Sequence, residues 1–230
     1  MLSEQTLKRN IDRVRSRMSD AAVRAGRRID DVRLIAITKQ QTVETINAML
    51  RLGITEIGEN RVSAALEKSG IVTGAPVWHF IGNLQRNKVR RLLPVIDYFH
   101  AADSARLIEK LDADAADVAR TRPLPILIEV NISGEAAKHG LPPDAVEPLL
   151  DACRRLPSVR IDGLMTMAPF TDDDRVQRAV FSGLRSLAET LRHRTGLALP
   201  ELSMGMSNDF ESAVEEGATL IRVGSALFEE

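Results

Sequence analysis

The stretch VRLIAITK, residues 32–39, sets the reading of this chain: a short run rich in aliphatic side chains leads straight into a lysine. A run this brief and apolar reads as a buried strand. Alternation along a strand places Arg33, Ile35, Ile37 and Lys39 on one face. If Ile35 and Ile37 point into a core, the Lys39 ammonium reaches the mouth of that core where the strand stops.

The same pattern repeats on both sides. Apolar runs at 32–38, 56–59, 77–81, 98–100, 126–132, 161–167, 201–206 and 220–223 read as strands. Helical periodicity fills 42–52, 61–68, 86–93, 104–119, 144–156, 173–194 and 210–216. Ahead of them Leu7, Ile11, Val14, Met18 and Ala21 recur every three or four residues and predict an amphipathic N-terminal helix. Strands and helices that alternate in this way predict an α/β fold, a single (β/α)8 TIM barrel over 1–230 with an added N-terminal helix. An open, doubly wound sheet is the alternative. Little chain follows the last strand, so the N-terminal helix is expected to cover the place of the eighth barrel helix.

Composition narrows the function. Hydrophobic residues make up 44% of the 230 and aromatics 3%, which predicts a core of Ala, Val, Ile, Leu and Met. Lys plus Arg total 31 against 32 for Asp plus Glu, so no global field favours nucleic acid or an anionic membrane. One cysteine, Cys153, excludes an intrachain disulfide framework and points to a reducing cytoplasm. The charges scattered through the first eighteen residues are not those of a signal peptide or a membrane span. The four histidines, at 79, 100, 139 and 193, have no metal-ligand spacing.

In a parallel barrel the active face lies at the C-terminal ends of the strands. Lys39, Asn60, the pair Ser207 and Asn208, and the pair Gly224 and Ser225 each follow an apolar run. A lysine desolvated at the barrel mouth is a nucleophile for a carbonyl such as an aldehyde; the plainer reading is a lysine that leaves the strand into solvent. The loops after the last two strands are where barrels often bind phosphate. Ser207 would offer its hydroxyl, and the amides of Ser207, Asn208, Gly224 and Ser225 would converge, with Gly224 allowing close backbone approach. Helix capping by Ser207 or Asn208 and a simple turn at Gly224 are the alternatives. Arg222 lies within the last strand and needs a partner there. That partner is either a carboxylate such as Glu129 or Glu201, or the ring nitrogen of a bound cofactor, which would stay unprotonated opposite arginine. His79, mid-strand in VWHFIG, is either a core histidine or one facing the pocket.

These residues fall within runs that carry a family resemblance: Ala36 to Lys39, Ile57 to Asn60, WHFIGNLQRNK from Trp78 to Lys88, Gly163 to Met165, LSMGMSND from Leu202 to Asp209, and Ile221 to Ser225. Over nearly its whole length the chain resembles the YggS/PROSC family of pyridoxal 5′-phosphate (PLP) homeostasis proteins. The resemblance implies a barrel like the N-terminal domain of alanine racemase, the fold type III of PLP proteins, with PLP as a Schiff base on Lys39. It places Asn60 near the cofactor ring, Ser207, Gly224 and Ser225 on the phosphate, Arg222 opposite the pyridine nitrogen, and His79 and Met204 in the pocket lining. It implies a role in vitamin B6 and amino-acid balance without established catalysis, with PLP-dependent apo-enzymes as partners. The loop Glu135 to Gly140 keeps only Lys138 and Gly140 of the family's usual pattern, which leaves a secondary PLP site at Lys138 in doubt. The sequence around Asn208 and Phe210 also departs from commoner versions.

Two other functions remain open. A PLP-dependent amino-acid racemase needs an acid–base group on each face of the substrate. In alanine racemases the second is a tyrosine from a further domain, whereas Tyr98, the only tyrosine here, is expected at the start of strand four, away from the active face. A phosphosugar barrel enzyme without PLP would need a general base at the strand ends that the sequence does not assign. A pure scaffold would leave the grouping of Lys39, Ser207 and Gly224 unexplained. No uncovered apolar helix face is evident, so a monomer is expected.

Overall fold

The computed structural model describes residues 2–118, 120–135 and 139–229. Among these, eight parallel strands close in sequence order into a barrel. They are β1 (Arg33–Ile37), β2 (Glu56–Glu59), β3 (Val77–Phe80), β4 (Tyr98–Ala102), β5 (Leu124–Glu129), β6 (Val159–Met165), β7 (Glu201–Ser203) and β8 (Leu220–Val223). The helices are α1 (Glu4–Arg24), α2 (Val43–Arg51), α3 (Val62–Ser69), α4 (Val89–Leu92), α5 (Ala105–Asp117), α6 (Val146–Cys153), α7 (Asp174–Thr195), α8 (Phe210–Glu215) and α9 (Ser225–Phe228). Closure comes from β1 pairing with β8, Arg33 opposite Leu220 through Ala36 opposite Val223, which rules out the open sheet.

The N-terminal helix does what its apolar stripe predicts. Ser3 caps it by accepting the Thr6 amide, and Leu7, Ile11, Val14, Met18 and Ala21 are buried. Asn10 Nδ2 donates to the carbonyls of Leu227 and Glu229, and Arg13 to that of Ala226, so α1 seals the flank beside the single-turn α9. Arg17 pairs with Glu211 and Arg24 with Glu215 on α8, each at 2.6 Å.

Several boundaries differ from the sequence reading. The run at 201–206 ends as β7 at Ser203, although Met204 and Gly205 still exchange backbone hydrogen bonds with Leu220 and Arg222. Gly205 has φ of 91°, and a Cβ there would lie 2.5 Å from that of Ala213, so the chain turns tightly onto α8. The 86–93 segment is a 3₁₀ turn, Arg86–Lys88, followed by one turn of α-helix, with Pro94 disfavouring its continuation. The 144–156 segment likewise begins as a 3₁₀ turn, Pro143–Ala145, where two consecutive prolines fix the backbone. The strands expected at 126–132 and 161–167 start and end earlier, as β5 and β6.

Candidate functional site

A cavity of about 700 Å³ opens at the C-terminal ends of the strands. Lys39, Asn60, Ser207, Arg222, Gly224 and Ser225 all line it, so six of the eight expected residues come together from four strand ends. The cavity is large enough for a small cofactor. Among the described residues, no cluster of His, Cys, Asp or Glu is placed to hold a metal ion.

Lys39 follows β1 by two residues, and its side chain is exposed at the rim. Of the two readings of Lys39, desolvated at the mouth or turned to solvent, the structure takes the second, because the strand ends at Ile37 and the chain turns outward over Lys39 and Gln40. What is buried lies beneath it. Lys68 Nζ, from α3, donates to the Thr38 carbonyl at 2.7 Å and to Glu59 Oε1 at 2.6 Å. Thr38 Oγ1 donates to the same Glu59 oxygen at 2.9 Å. This brace between the ends of β1 and β2 went unseen in the sequence, where Lys68 reads as the last residue of a surface helix. Asn60 follows Glu59, and its Oδ1 is buried without a partner among the described residues. Gly82 lets the neighbouring strand end approach it, since a Cβ there would meet the Asn60 carbonyl oxygen at 2.3 Å.

Ser207 does not cap α8. Asp209 occupies the cap position, and its Oδ1 accepts the Met206 amide at 2.5 Å. The Ser207 hydroxyl reaches across to the other loop and accepts the amides of Gly224 at 3.1 Å and Ala226 at 3.3 Å. The two loops expected to share a phosphate are therefore tied by one hydroxyl, and the Gly224 amide is already engaged. A Cβ on Gly224 would make ordinary contact with Ile37 at 3.5 Å, so packing against the protein does not require glycine there.

Arg222 is 4% exposed and pairs with neither expected carboxylate. Nη1 donates to Ser203 Oγ at 2.6 Å and Nη2 to the Thr166 carbonyl at 3.0 Å. Glu201 pairs with Arg33 at 2.8 Å on the opposite face of the barrel. Burial pulls the Arg222 guanidinium down to about 10, partly offset by Asp209 and Glu129, so it stays charged at neutral pH. Burial also pushes the Glu129 and Asp209 carboxyls above the usual range. Both line the cavity, and Glu129 Oε2 is buried without a partner among the described residues.

His79 and Met204 are the two expected pocket residues that do not line the cavity. Both are fully buried inside the barrel. His79 Nδ1 lies 2.8 Å from His100 Nε2, and Nε2 lies 2.9 Å from Glu56 Oε2 at the start of β2, so its ring is directed to the far face. Met204 follows β7 just before the Gly205 turn and packs in the core. Lys138 lies outside the described residues. Tyr98 begins β4 and donates to Asp162 at 2.8 Å, away from the cavity. Residues that the sequence reading did not assign to the site also line the cavity, among them Met165, Met167 and Phe170, the last 92% exposed at the mouth.

Residues 2–230 match the sequence model of the family described as alanine racemase, N-terminal domain. A pyridoxal phosphate homeostasis protein of Aquifex aeolicus is 38% identical over 221 residues, covering 96% of each chain. The crystal structure of an unknown protein from Bifidobacterium adolescentis superposes with a TM-score of 0.89 at 33% identity, over 99% of this chain and 98% of that one. PipY of Synechococcus elongatus, solved with PLP bound, gives a TM-score of 0.81 at 35% identity, over 86% of this chain and 92% of that one.

Proposed function

The chain belongs to the alanine racemase N-terminal domain family, among its pyridoxal phosphate homeostasis proteins, and from that membership we propose that it binds PLP covalently on Lys39 and serves vitamin B6 homeostasis. One observation carries the reading: an amine, a pair of loops tied by a serine hydroxyl and a guanidinium held by neutral oxygens all line one cavity. When bound, the cofactor supplies an aldehyde that condenses with an amine, and a pyridine ring that withdraws electrons. Lys39, exposed at the rim, is the amine. Ser207, with the loop from Gly224 to Ser225, takes the phosphate, and Asn60 lies near the ring, its Oδ1 without a partner among the described residues. Arg222 donates to the ring nitrogen and, being charged at neutral pH, leaves that nitrogen unprotonated.

This arrangement favours holding PLP over turning substrates over. An arginine-paired ring is the weaker electron sink, and Tyr98, whose hydroxyl is engaged by Asp162 on the far face, is no acid–base group for the cavity. We read residues 1–230 as one domain and a cytoplasmic monomer that passes PLP to apo-enzymes. The packed stripe of α1 and the lone buried Cys153 support that reading. The test is a titration with PLP followed by absorbance, comparing wild type with Lys39→Ala, alongside an amino-acid racemisation assay. A visible band that saturates in wild type and is missing in the variant supports the reading. Absence of any band in folded wild type overturns it, and racemase turnover would overturn the carrier role.

A further inference from the structure

Below the cavity a continuous line of polar contacts crosses the apolar interior of the barrel. It runs from Arg222 to Ser203 Oγ at 2.6 Å, from Ser203 Oγ to His100 Nδ1 at 3.0 Å, from His100 Nε2 to His79 Nδ1 at 2.8 Å, and from His79 Nε2 to Glu56 Oε2 at 2.9 Å. His79, His100 and Ser203 are fully buried and Arg222 nearly so. The chemistry of the two ends fixes the direction of every bond. A guanidinium only donates, so Ser203 Oγ accepts from Arg222; the contact of His79 with Glu56 lacks the geometry of a hydrogen bond, but with Nε2 2.9 Å from the carboxylate oxygen the negative charge there favours the proton on Nε2. With Nε2 protonated, a neutral His79 presents Nδ1 as an acceptor. His100 must then donate from Nε2, which leaves its own Nδ1 to accept the Ser203 hydroxyl proton. The reverse polarity would set a nitrogen lone pair against the Glu56 carboxylate.

The surroundings agree. Burial holds both rings below the usual histidine range, His100 furthest, which keeps them neutral. Burial pushes the Glu56 carboxyl up, but the His79 ring and then Arg33, whose Nη1 lies 3.5 Å from Oε2, outweigh it and hold it below the usual range. Tyr98 stacks on His79 with ring centroids 5.3 Å apart, fixing the ring plane. Asp97, Asp162 and Glu201 are the further carboxylates whose fields reach this face.

We propose that Glu56, His79, His100 and Ser203 are positioning residues for Arg222: a one-way hydrogen-bond array from Arg222 to His79, its polarity set by the charge of the Glu56 carboxylate at the opposite face of the barrel, fixes the guanidinium and sets how strongly it donates into the cavity. Bonds in such a chain polarise one another, so a charge removed at Glu56 is felt at Arg222 without any contact between the two. The effect on PLP rests on the function proposed above; the array itself does not.

The test uses ¹⁵N-labelled protein without PLP. In wild type at pH 7, both His79 and His100 are expected as neutral rings protonated on Nε2, and the Arg222 Nη protons as separate, slowly exchanging signals. Glu56→Gln should broaden the Arg222 signals, while Glu201→Gln, which removes a carboxylate from the same face but lies outside the array, should leave them sharp. With PLP added, Glu56→Gln should raise the dissociation constant about tenfold and Glu201→Gln less than about twofold. An imidazolium or an Nδ1-protonated ring at either position overturns the array. Equal effects of the two glutamate variants on Arg222 overturn the positioning role. Wild type that shows the array yet binds no PLP would sink the function proposed above, with the Arg222 signals still deciding the positioning role.

Discussion

Lys68 Nζ donates to Glu59 Oε1 at 2.6 Å directly beneath the strand end that carries Lys39. The Glu59 side chain is 1% exposed and that of Lys68 12%, so each charge depends on the other. Removing one partner strands the second in the interior. Lys68→Met should therefore destabilise the fold by about 3 kcal/mol. Lys68→Met combined with Glu59→Leu should recover much of that loss, because two apolar side chains leave no orphaned charge. Urea unfolding midpoints decide it, and a single variant as stable as wild type would show that the brace contributes nothing.

Ser207→Ala removes the hydroxyl that ties the loops after β7 and β8. Stability should fall by about 1 kcal/mol, the worth of an ordinary hydrogen bond. PLP affinity should fall about tenfold, as expected when a hydrogen bond to a charged group is lost. Pyridoxal, which lacks the phosphate, should bind the variant and wild type alike in equilibrium dialysis. Equal weakening for both ligands would remove Ser207 from the phosphate site.

Acid should weaken the fold through the two interior histidines. Both have pKa values lowered by burial, so between the unfolded value and the folded one the unfolded chain binds protons that the fold does not. Stability is therefore lost as the pH falls below about 6.5, by up to about 1.4 kcal/mol per pH unit for each histidine. Glu129 and Asp209, raised by burial, act in the opposite sense. His100→Gln should flatten the slope of unfolding free energy between pH 7 and 5.5; an unchanged slope would mean that His100 titrates normally in the fold.

Glu129→Gln isolates that opposing group. A carboxyl whose folded pKa is raised contributes stability at low pH that is lost as the pH rises through the folded value. Its oxygen Oε2 has no partner among the described residues. The amide variant should match wild type near pH 4 and exceed it by about 1 kcal/mol at pH 8. Denaturant midpoints at the two pH values check this, and a variant less stable at pH 8 would mean that Glu129 is held by a favourable contact.

The order of strands and helices was legible because aliphatic runs and helical periodicity alternate along the whole chain, and Lys39, Asn60, Ser207 and Gly224 could be placed because each follows such a run. Depth within the barrel was not legible. His79 is a strand residue of β3, like its neighbour Phe80, yet its ring is directed toward Glu56 at the far face, and nothing in VWHFIG distinguishes that from a ring facing the cavity. For Lys39 the sequence left burial at the mouth and exposure to solvent both open, because strand alternation does not say where the chain turns out. Arg222 was recognised as needing a partner; that the partners are a serine hydroxyl and a carbonyl depends on the register of β6, β7 and β8, which no local pattern encodes. The Ser207 tie and the Lys68 brace are likewise contacts between loops or elements that only the closed barrel brings together.

The most direct test of the central claim is to reduce the protein with borohydride in the presence of PLP and locate the label by peptide mass spectrometry. The account predicts one phosphopyridoxyl group on the peptide that contains Lys39, and none on that peptide in Lys39→Ala. A folded protein that carries no label, or whose label sits on another lysine while Lys39 stays unmodified, would contradict it.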